Sequence, residues 1–320
     1  MSISKSIFAV GGFPLRLSKS IEVVGSSSFK LPQLPFRMIN HSTIVSNDNK
    51  LMILGGTHNF DLKPDSKADK RSRKCFVLQG NKWIYHSMLH EPRNRSISIC
   101  MPNGVYIFGG FGERRDNLDD YLYSSEFLAT GTSTWRRGPD LPLGAEFICG
   151  GQGVAISETE IVILGGKVIT HRRKDETTGG IFVREYPSKQ IWKFHTITEE
   201  WQLIGNLKVP RFGHQAAYQH PNIVISGGWT HDSMTRRVVL KSTEIFNPHL
   251  PDFEPVLVSD LNVPRSWHVM RMILKNAIPT LVAFGGIDNE HGHLDSIEEW
   301  DPDNKKWKLL EQKLFHKRCF

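Results

Sequence analysis

An all-β ring of six blades, each of four antiparallel strands, is the fold this sequence predicts, and three observations carry the prediction. First, a double glycine closes a short apolar run at Gly11-Gly12, Gly55-Gly56, Gly109-Gly110, Gly165-Gly166, Gly227-Gly228 and Gly285-Gly286. Six copies in 320 residues give a period of about 53, which calls for a repeat architecture. Second, a large aromatic recurs late in each copy. The step from it to the next glycine pair is 26 residues for Phe29 to Gly55, Trp83 to Gly109 and Trp201 to Gly227, 30 for Trp135 to Gly165 and 32 for Phe253 to Gly285. Steps between glycine pairs vary more, from 44 to 62. Most length variation therefore falls between the glycines and the aromatic, which maps to loops on one face of a repeat assembly. Third, no stretch carries a helical period, whereas β-branched and aromatic runs alternate with Asn/Asp/Gly turns throughout. Four short strands per repeat, repeated radially, make a β-propeller.

Taken in order, the first copy opens in mid-pattern. Ile7 to Val10 is a strand, Ser20 to Val24 is the next, and Phe29 closes a third. No segment precedes Ile7 with room for a fourth. The second copy supplies all four, at His41 to Val45, Leu51 to Leu54, Cys75 to Leu78 and Trp83 to Tyr85. Later copies match it, with Val105 to Phe108, Ile161 to Leu164, Ile223 to Ile225 and Leu281 to Phe284 before their glycines. These runs are nearly all apolar, as a strand buried on both faces should be. The glycines end them where the backbone turns against a neighbour. Seven residues before the late aromatic stands another apolar residue, Phe76, Leu128, Phe194, Phe246 or Trp300. It marks the core of the third strand, and the late Trp suits the space between wedge-shaped sheets.

These marks set the expected bounds of a single domain over 1–320: blade 1 about 1–30 plus 313–320, blade 2 31–86, blade 3 87–138, blade 4 139–204, blade 5 205–257 and blade 6 258–312. The tail 315–320 resembles the opening of another repeat. It is expected to pair around Ile7 to Val10 and close the ring in blade 1, removing an exposed edge.

Composition narrows the function classes. Forty Lys and Arg against 33 Asp and Glu give a net charge of +7. That excess allows an acidic partner without demanding nucleic acid. Cys75, Cys100, Cys149 and Cys319 are scattered and form no CxxC pair, the pattern of a reduced, cytoplasmic setting. No run of eighteen apolar residues is present, and no signal-peptide pattern opens the chain. Neither a membrane nor a nucleic-acid partner is expected, nor any cofactor.

The pattern as a whole resembles the kelch repeat. Its marks are Gly-Gly after an apolar strand and a Glu in the third strand nine residues before the late aromatic, as in Glu126/Trp135, Glu244/Phe253 and Glu298/Trp307. The openings Pro210-Arg211-Phe212-Gly213-His214 and Pro264-Arg265-Ser266-Trp267-His268 add to it. The resemblance covers essentially the whole chain and is similar to the propellers of kelch-like proteins, which recruit substrates to cullin-type ubiquitin ligases. It implies a non-enzymatic protein-binding module. The implied partner is a ubiquitin-ligase substrate or an actin-associated protein. Blade 1 departs from the pattern in lacking a Trp, blade 5 in carrying Phe253, and blade 4 in a long insertion. The BTB and BACK segments of that family are not in the sequence.

Topology then nominates a binding face. With strands a to d running outward from the centre, the b–c loops and the d–a connections share one face. It receives the variable loops 57–74, 111–124, 167–189, 229–242 and 287–295, and the arginines that open each strand a: Arg37, Arg93, Arg211 and Arg265. Arg114, Arg172, Trp229 and Arg236 join them from the loops. A ring of guanidinium groups takes carboxylates in bidentate fashion, and kelch-like propellers bind acidic segments with such a rim. Any one of these arginines, taken alone, is more often paired with a Glu, Asp or carbonyl of a neighbouring blade.

Other constellations are weaker. His291-Gly292-His293 beside Asp288 has the look of a polar loop rather than a metal site. His41, His214 and His268 recur once per blade, which suits a structural role. The rival reading is a kelch-fold enzyme at the channel mouth, such as a sugar epimerase. It requires a convergent acid/base set there.

Overall fold

The computed structural model describes 38–58, 70–115, 118–142, 149–174, 181–232, 236–275 and 278–314, together with 7–10, 21–24, 32–34, 144–145, 317 and 319. Among these residues there is no helix. Five blades are complete, each a four-stranded antiparallel sheet whose strands pair in chain order. Blade 2 comprises Ser42–Val45, Leu51–Leu54, Lys74–Gln79 and Lys82–Met88. Blade 3 comprises Ile97–Met101, Gly104–Phe108, Ser125–Ala129 and Trp135–Arg137. Blade 4 is built from Gln152–Ala155, Glu160–Leu164, Gln190–His195 and Glu200–Asn206. Gln215–Gln219, Asn222–Ser226, Thr243–Phe246 and Val256–Val258 form blade 5. Val269–Lys275, Ile278–Phe284, Ser296–Asp301 and Lys306–Lys313 form blade 6. The expected sixth blade is represented by the hairpin of Ile7–Val10 with Ile21–Val24. Of the expected closing segment 315–320, only Lys317 and Cys319 are described, so the closure lies outside the described residues.

First strands of successive blades, from blade 2 to blade 6, lie against one another, which makes them the innermost. The second strands are buried over the residues that lead into their glycines, Leu51–Leu54 and Gly104–Phe108 completely. Each main apolar cluster straddles two neighbouring blades rather than filling one. Ile97, Tyr106 and Phe108 of blade 3 pack with Ile163, Trp192 and Phe194 of blade 4. Val162 and Leu164 pack in turn with Ile223 and Phe246 of blade 5. The propeller is therefore stable only as a set of contacting wedges.

The late aromatics do what their size predicts. Trp135 of blade 3 is buried and its Nε1 donates to Ser87 Oγ of blade 2 at 3.0 Å. Trp307 of blade 6 donates in the same way to Thr243 Oγ1 of blade 5 at 2.9 Å. Trp201 of blade 4 meets Phe108 of blade 3 edge-on at 5.4 Å. A flat ring fills the gap and its polar tip fixes the neighbour.

Histidines stand just before the first strands and press on the glycine pairs. His214 is fully buried and faces Gly165 of blade 4, while His268 faces Gly227 of blade 5. Burial, and next to it the Arg211 charge, push His214 down to about 3, with the Leu164 carbonyl offsetting only part of this. Burial and Arg265 likewise hold His268 well below its ordinary value. The unfolded chain therefore takes up protons near 6.5 that the folded chain refuses. Stability is full above that value and falls as pH drops through it towards the folded value, at about 1.4 kcal/mol per unit for each histidine. Denaturant titration at pH 7.5 and pH 5 is expected to show His214 alone costing about 2 kcal/mol at the lower pH. A slope that survives unchanged in His214→Gln rules out this assignment.

Candidate functional site at the channel mouth

Beyond the glycine pairs of blades 2 to 5 the chain builds a hairpin on the b–c face instead of a plain loop. Phe111–Arg115 pairs with Leu118–Tyr121, Lys167–Lys174 with Ile181–Pro187, and Trp229–His231 with Arg237–Val239. The d–a connections join the same layer through bridges Asn94 to Phe111, Cys149 to Lys167, Phe212 to Trp229 and Ser266 to Ile287. This bears out the expectation that b–c loops and d–a connections share one face.

The arginines of that face divide sharply. Arg93, Arg211 and Arg265 are fully buried, and their assignment to a partner-binding rim is corrected. Arg211 donates from Nη2 to Glu244 Oε1 at 2.7 Å and to Ser242 Oγ at 3.0 Å, and from Nη1 to the Gly227 carbonyl at 2.8 Å. Arg265 repeats this with Glu298, Ser296 and Gly285, and Arg93 with Glu126, Ser124 and Gly109. Each Glu also accepts two backbone N–H groups of the preceding linker, as Glu244 does from Lys208 and Val209. The neighbouring blade is tied in as well, since Gly56, Gly166 and Gly228 donate to the carbonyls of Arg93, Arg211 and Arg265. Burial pulls each guanidinium below its ordinary value, and the facing carboxylate pulls it back. These side chains lock linker, blade and neighbour together and offer nothing to a partner.

Bridge register shows that Met38, not Arg37, holds this position in blade 2, because Ile39 pairs with Thr57 as Phe212 pairs with Trp229. Met38 is fully buried beside Ile53. Arg37 lies outside the described residues. Phe76 stands opposite Ile53 where a Glu stands in blades 3, 5 and 6, and Trp192 does so opposite Ile163 in blade 4. Of the remaining predicted residues, Arg114 and Arg172 lie in hairpin strands. Arg236 is exposed and pairs with Asp232 at 3.0 Å. Trp229 is half-buried and exchanges two backbone hydrogen bonds with Phe212.

What surrounds the channel is the next residue but one. Asn40, Arg95, Gly150, Gly213 and Trp267 each precede an innermost strand, and all have left-handed backbones, with φ of 55°, 51°, 66°, 63° and 49°. Three N–H groups donate to the preceding blade's carbonyl: Arg95 to Asn40 at 2.9 Å, Gly213 to Gly150 at 2.7 Å and Trp267 to Gly213 at 2.7 Å. The indole of Trp267 lies over Gly150 and Gly213, so close that a Cβ at Gly213 would stand 2.9 Å from Cε2. It reaches Arg95, whose guanidinium sits 5.3 Å from the ring centre. Positive φ at a bulky Trp is strained and persists only where its surroundings fix it.

Around this pair, cations alternate with aromatic rings. Arg71, Arg95 and Lys167 lie over Phe111 at 5.5, 5.8 and 5.2 Å. Lys167 and Arg237 lie over Phe212 at 5.7 and 6.0 Å. Glu185 answers part of the charge: it accepts from Lys167 Nζ at 2.6 Å and Tyr121 Oη at 3.1 Å, and Arg237 Nη2 stands at 3.4 Å. Burial opposes its ionisation, but Lys167 and Tyr121 outweigh that and hold the carboxyl below the usual range. Apart from these ring contacts, the Arg95 guanidinium has no hydrogen bond or ion pair among the described residues. No group of three His, Cys, Asp or Glu among them is placed to hold a metal ion. Asp288 instead closes a loop turn by accepting from the backbone of Glu290 and His291.

Sequence reading missed Arg95, Phe111, Lys167, Phe212 and Trp267. One signal pointed to them: all fall at fixed offsets, just after a glycine pair or one to two residues after the buried position.

A family model described as "Kelch motif" matches 280–312. Alpha-scruin of Limulus polyphemus is 26% identical over 136 residues, which is 41% of this chain and 14% of that protein. Kelch-like protein 15 of Homo sapiens is 22% identical over 293 residues, 87% of this chain and 43% of that protein. The matched region thus spans less than half of either relative. The solved structure of YjhT superposes with a TM-score of 0.71 at 10% identity, covering 96% of this chain and 95% of that one.

Proposed function

We propose that this kelch-repeat β-propeller is a protein-binding module whose channel mouth takes an acidic segment of a partner. The observation that carries the reading is Arg95: a half-buried guanidinium held against the rings of Phe111 and Trp267. The rings hold it in place and leave its donors to a ligand carboxylate, which it meets bidentately. Lys167 and Arg237 add positive charge, and the strained Trp267 backbone keeps the platform in place before binding. Glu185 is occupied by Lys167 and Tyr121, which leaves it poorly placed to accept a substrate proton and favours binding over epimerase-type catalysis. Within this reading the partner is a ubiquitin-ligase substrate or an actin-associated protein.

Fluorescence anisotropy with a labelled Glu-rich peptide tests the mouth. Arg95→Ala is expected to weaken binding about tenfold, roughly 1.4 kcal/mol, with melting unchanged. Affinity should also fall as salt rises through the physiological range. Unaltered affinity in a folded Arg95→Ala variant moves the binding surface elsewhere.

A further inference from the structure

We propose that the cleft between blades 2 and 3, which shares Arg71 with the mouth, is a second site that binds a phosphate monoester. The cleft opens on the same face as the mouth and encloses a cavity of about 470 Å³. That volume falls in the usual range of small-molecule sites, roughly 300–1,000 Å³. Arg71 forms one wall, donating across the cleft to the Gly112 carbonyl of blade 3. Two residues on, Arg73 is anchored: its Nε donates to the Leu89 carbonyl at 2.8 Å, and its own carbonyl accepts from Leu89 N at 2.8 Å. The two terminal nitrogens of that guanidinium, and Nζ of the adjacent Lys74, have no hydrogen-bond or ion-pair partner among the described residues.

Charge selects the ligand. Glu91 in the lining accepts from Ser124 Oγ through Oε2, which also stands 3.5 Å from Arg93, so part of its charge is answered within the protein. Glu113 at the rim leaves the lining net positive. An anchored guanidinium beside an open ammonium matches a doubly charged tetrahedral oxyanion, whereas a carboxylate satisfies only one of them. Met88, Pro92 and Leu122 line the remaining space and suit the organic part of the ester rather than free phosphate.

Calorimetric titration of the whole chain with phosphoserine, at constant ionic strength, tests this site. Binding is expected, with glutamate at least about tenfold weaker. Arg73→Ala combined with Lys74→Ala should weaken phosphoserine at least about tenfold, while Arg95→Ala changes it less than about twofold. Both substituted side chains are exposed, so unchanged melting is expected for the double variant. Absence of phosphoserine binding at millimolar concentration overturns the proposal, as does equal binding by the folded double variant. A phosphoserine-bearing peptide separates the sources. A gain over free phosphoserine that Arg95→Ala abolishes points to a phosphorylated protein segment, and equal affinity points to a small organic phosphate; either outcome supports the site. A mouth reading that fails with the Glu-rich peptide leaves the phosphoserine result untouched.

Discussion

Arg265→Ala is expected to lower stability by about 3–5 kcal/mol, the cost of leaving a buried charge without its partner. The variant strands Glu298, fully buried, and removes the donor from the Gly285 carbonyl and Ser296. Glu298 retains the N–H groups of Asn262 and Val263, but these alone do not neutralise it. The same reasoning makes the pair replaceable as a unit. Blade 2 carries Met38 and Phe76 at the two positions, so the combination of Arg265→Met and Glu298→Phe is expected to be more stable than either single change. Guanidinium titration of the four proteins measures the coupling. Loss of less than about 1 kcal/mol in Arg265→Ala contradicts the structural role, because a side chain with this many buried hydrogen bonds cannot leave so cheaply.

Gly228→Val is expected to cost roughly 4 kcal/mol or more and to unfold blade 5 or the ring, since two separate penalties add. Gly228 has φ +99°, a backbone that β-branched residues do not adopt. An added Cβ would stand 2.8 Å from His214 Cβ and 2.9 Å from the Phe212 carbonyl, neither of which can move freely. Gly131→Ala is the control. Its φ is +79°, but nothing lies within 4 Å of a Cβ there, so only the conformational strain of about 1–2 kcal/mol applies. Circular dichroism and melting distinguish the two: a folded Gly228→Val with native stability means that the glycine pair is not the packed turn described here.

The sequence by itself determined the ring of blades, because the rules that shape it are local. Apolar runs of four or five residues, turn chemistry and a glycine pair after each second strand act within one hairpin. They read the same before and after folding, as Leu51–Leu54 ahead of Gly55 illustrates. Late aromatics such as Trp135 and Trp307 were legible as inter-blade packing for the same reason, since their size leaves few alternatives.

Only the tertiary structure decided which arginines are available. A guanidinium on a rim and one locked in a core have the same letter, and the difference is a Glu 33 residues further on in all three cases, Arg93 to Glu126, Arg211 to Glu244 and Arg265 to Glu298. That constant interval was present in the sequence, but its meaning depends on sheet register, which sets the residue opposite Ile107, Ile225 or Ala283. The mouth cluster was less legible still. Arg95, Phe111, Lys167, Phe212, Arg237 and Trp267 come from four blades and meet because the ring brings the d–a connections and b–c hairpins of successive repeats together on one face. Long-range convergence of that kind leaves no local pattern, since no short stretch of chain contains two of the blades it joins.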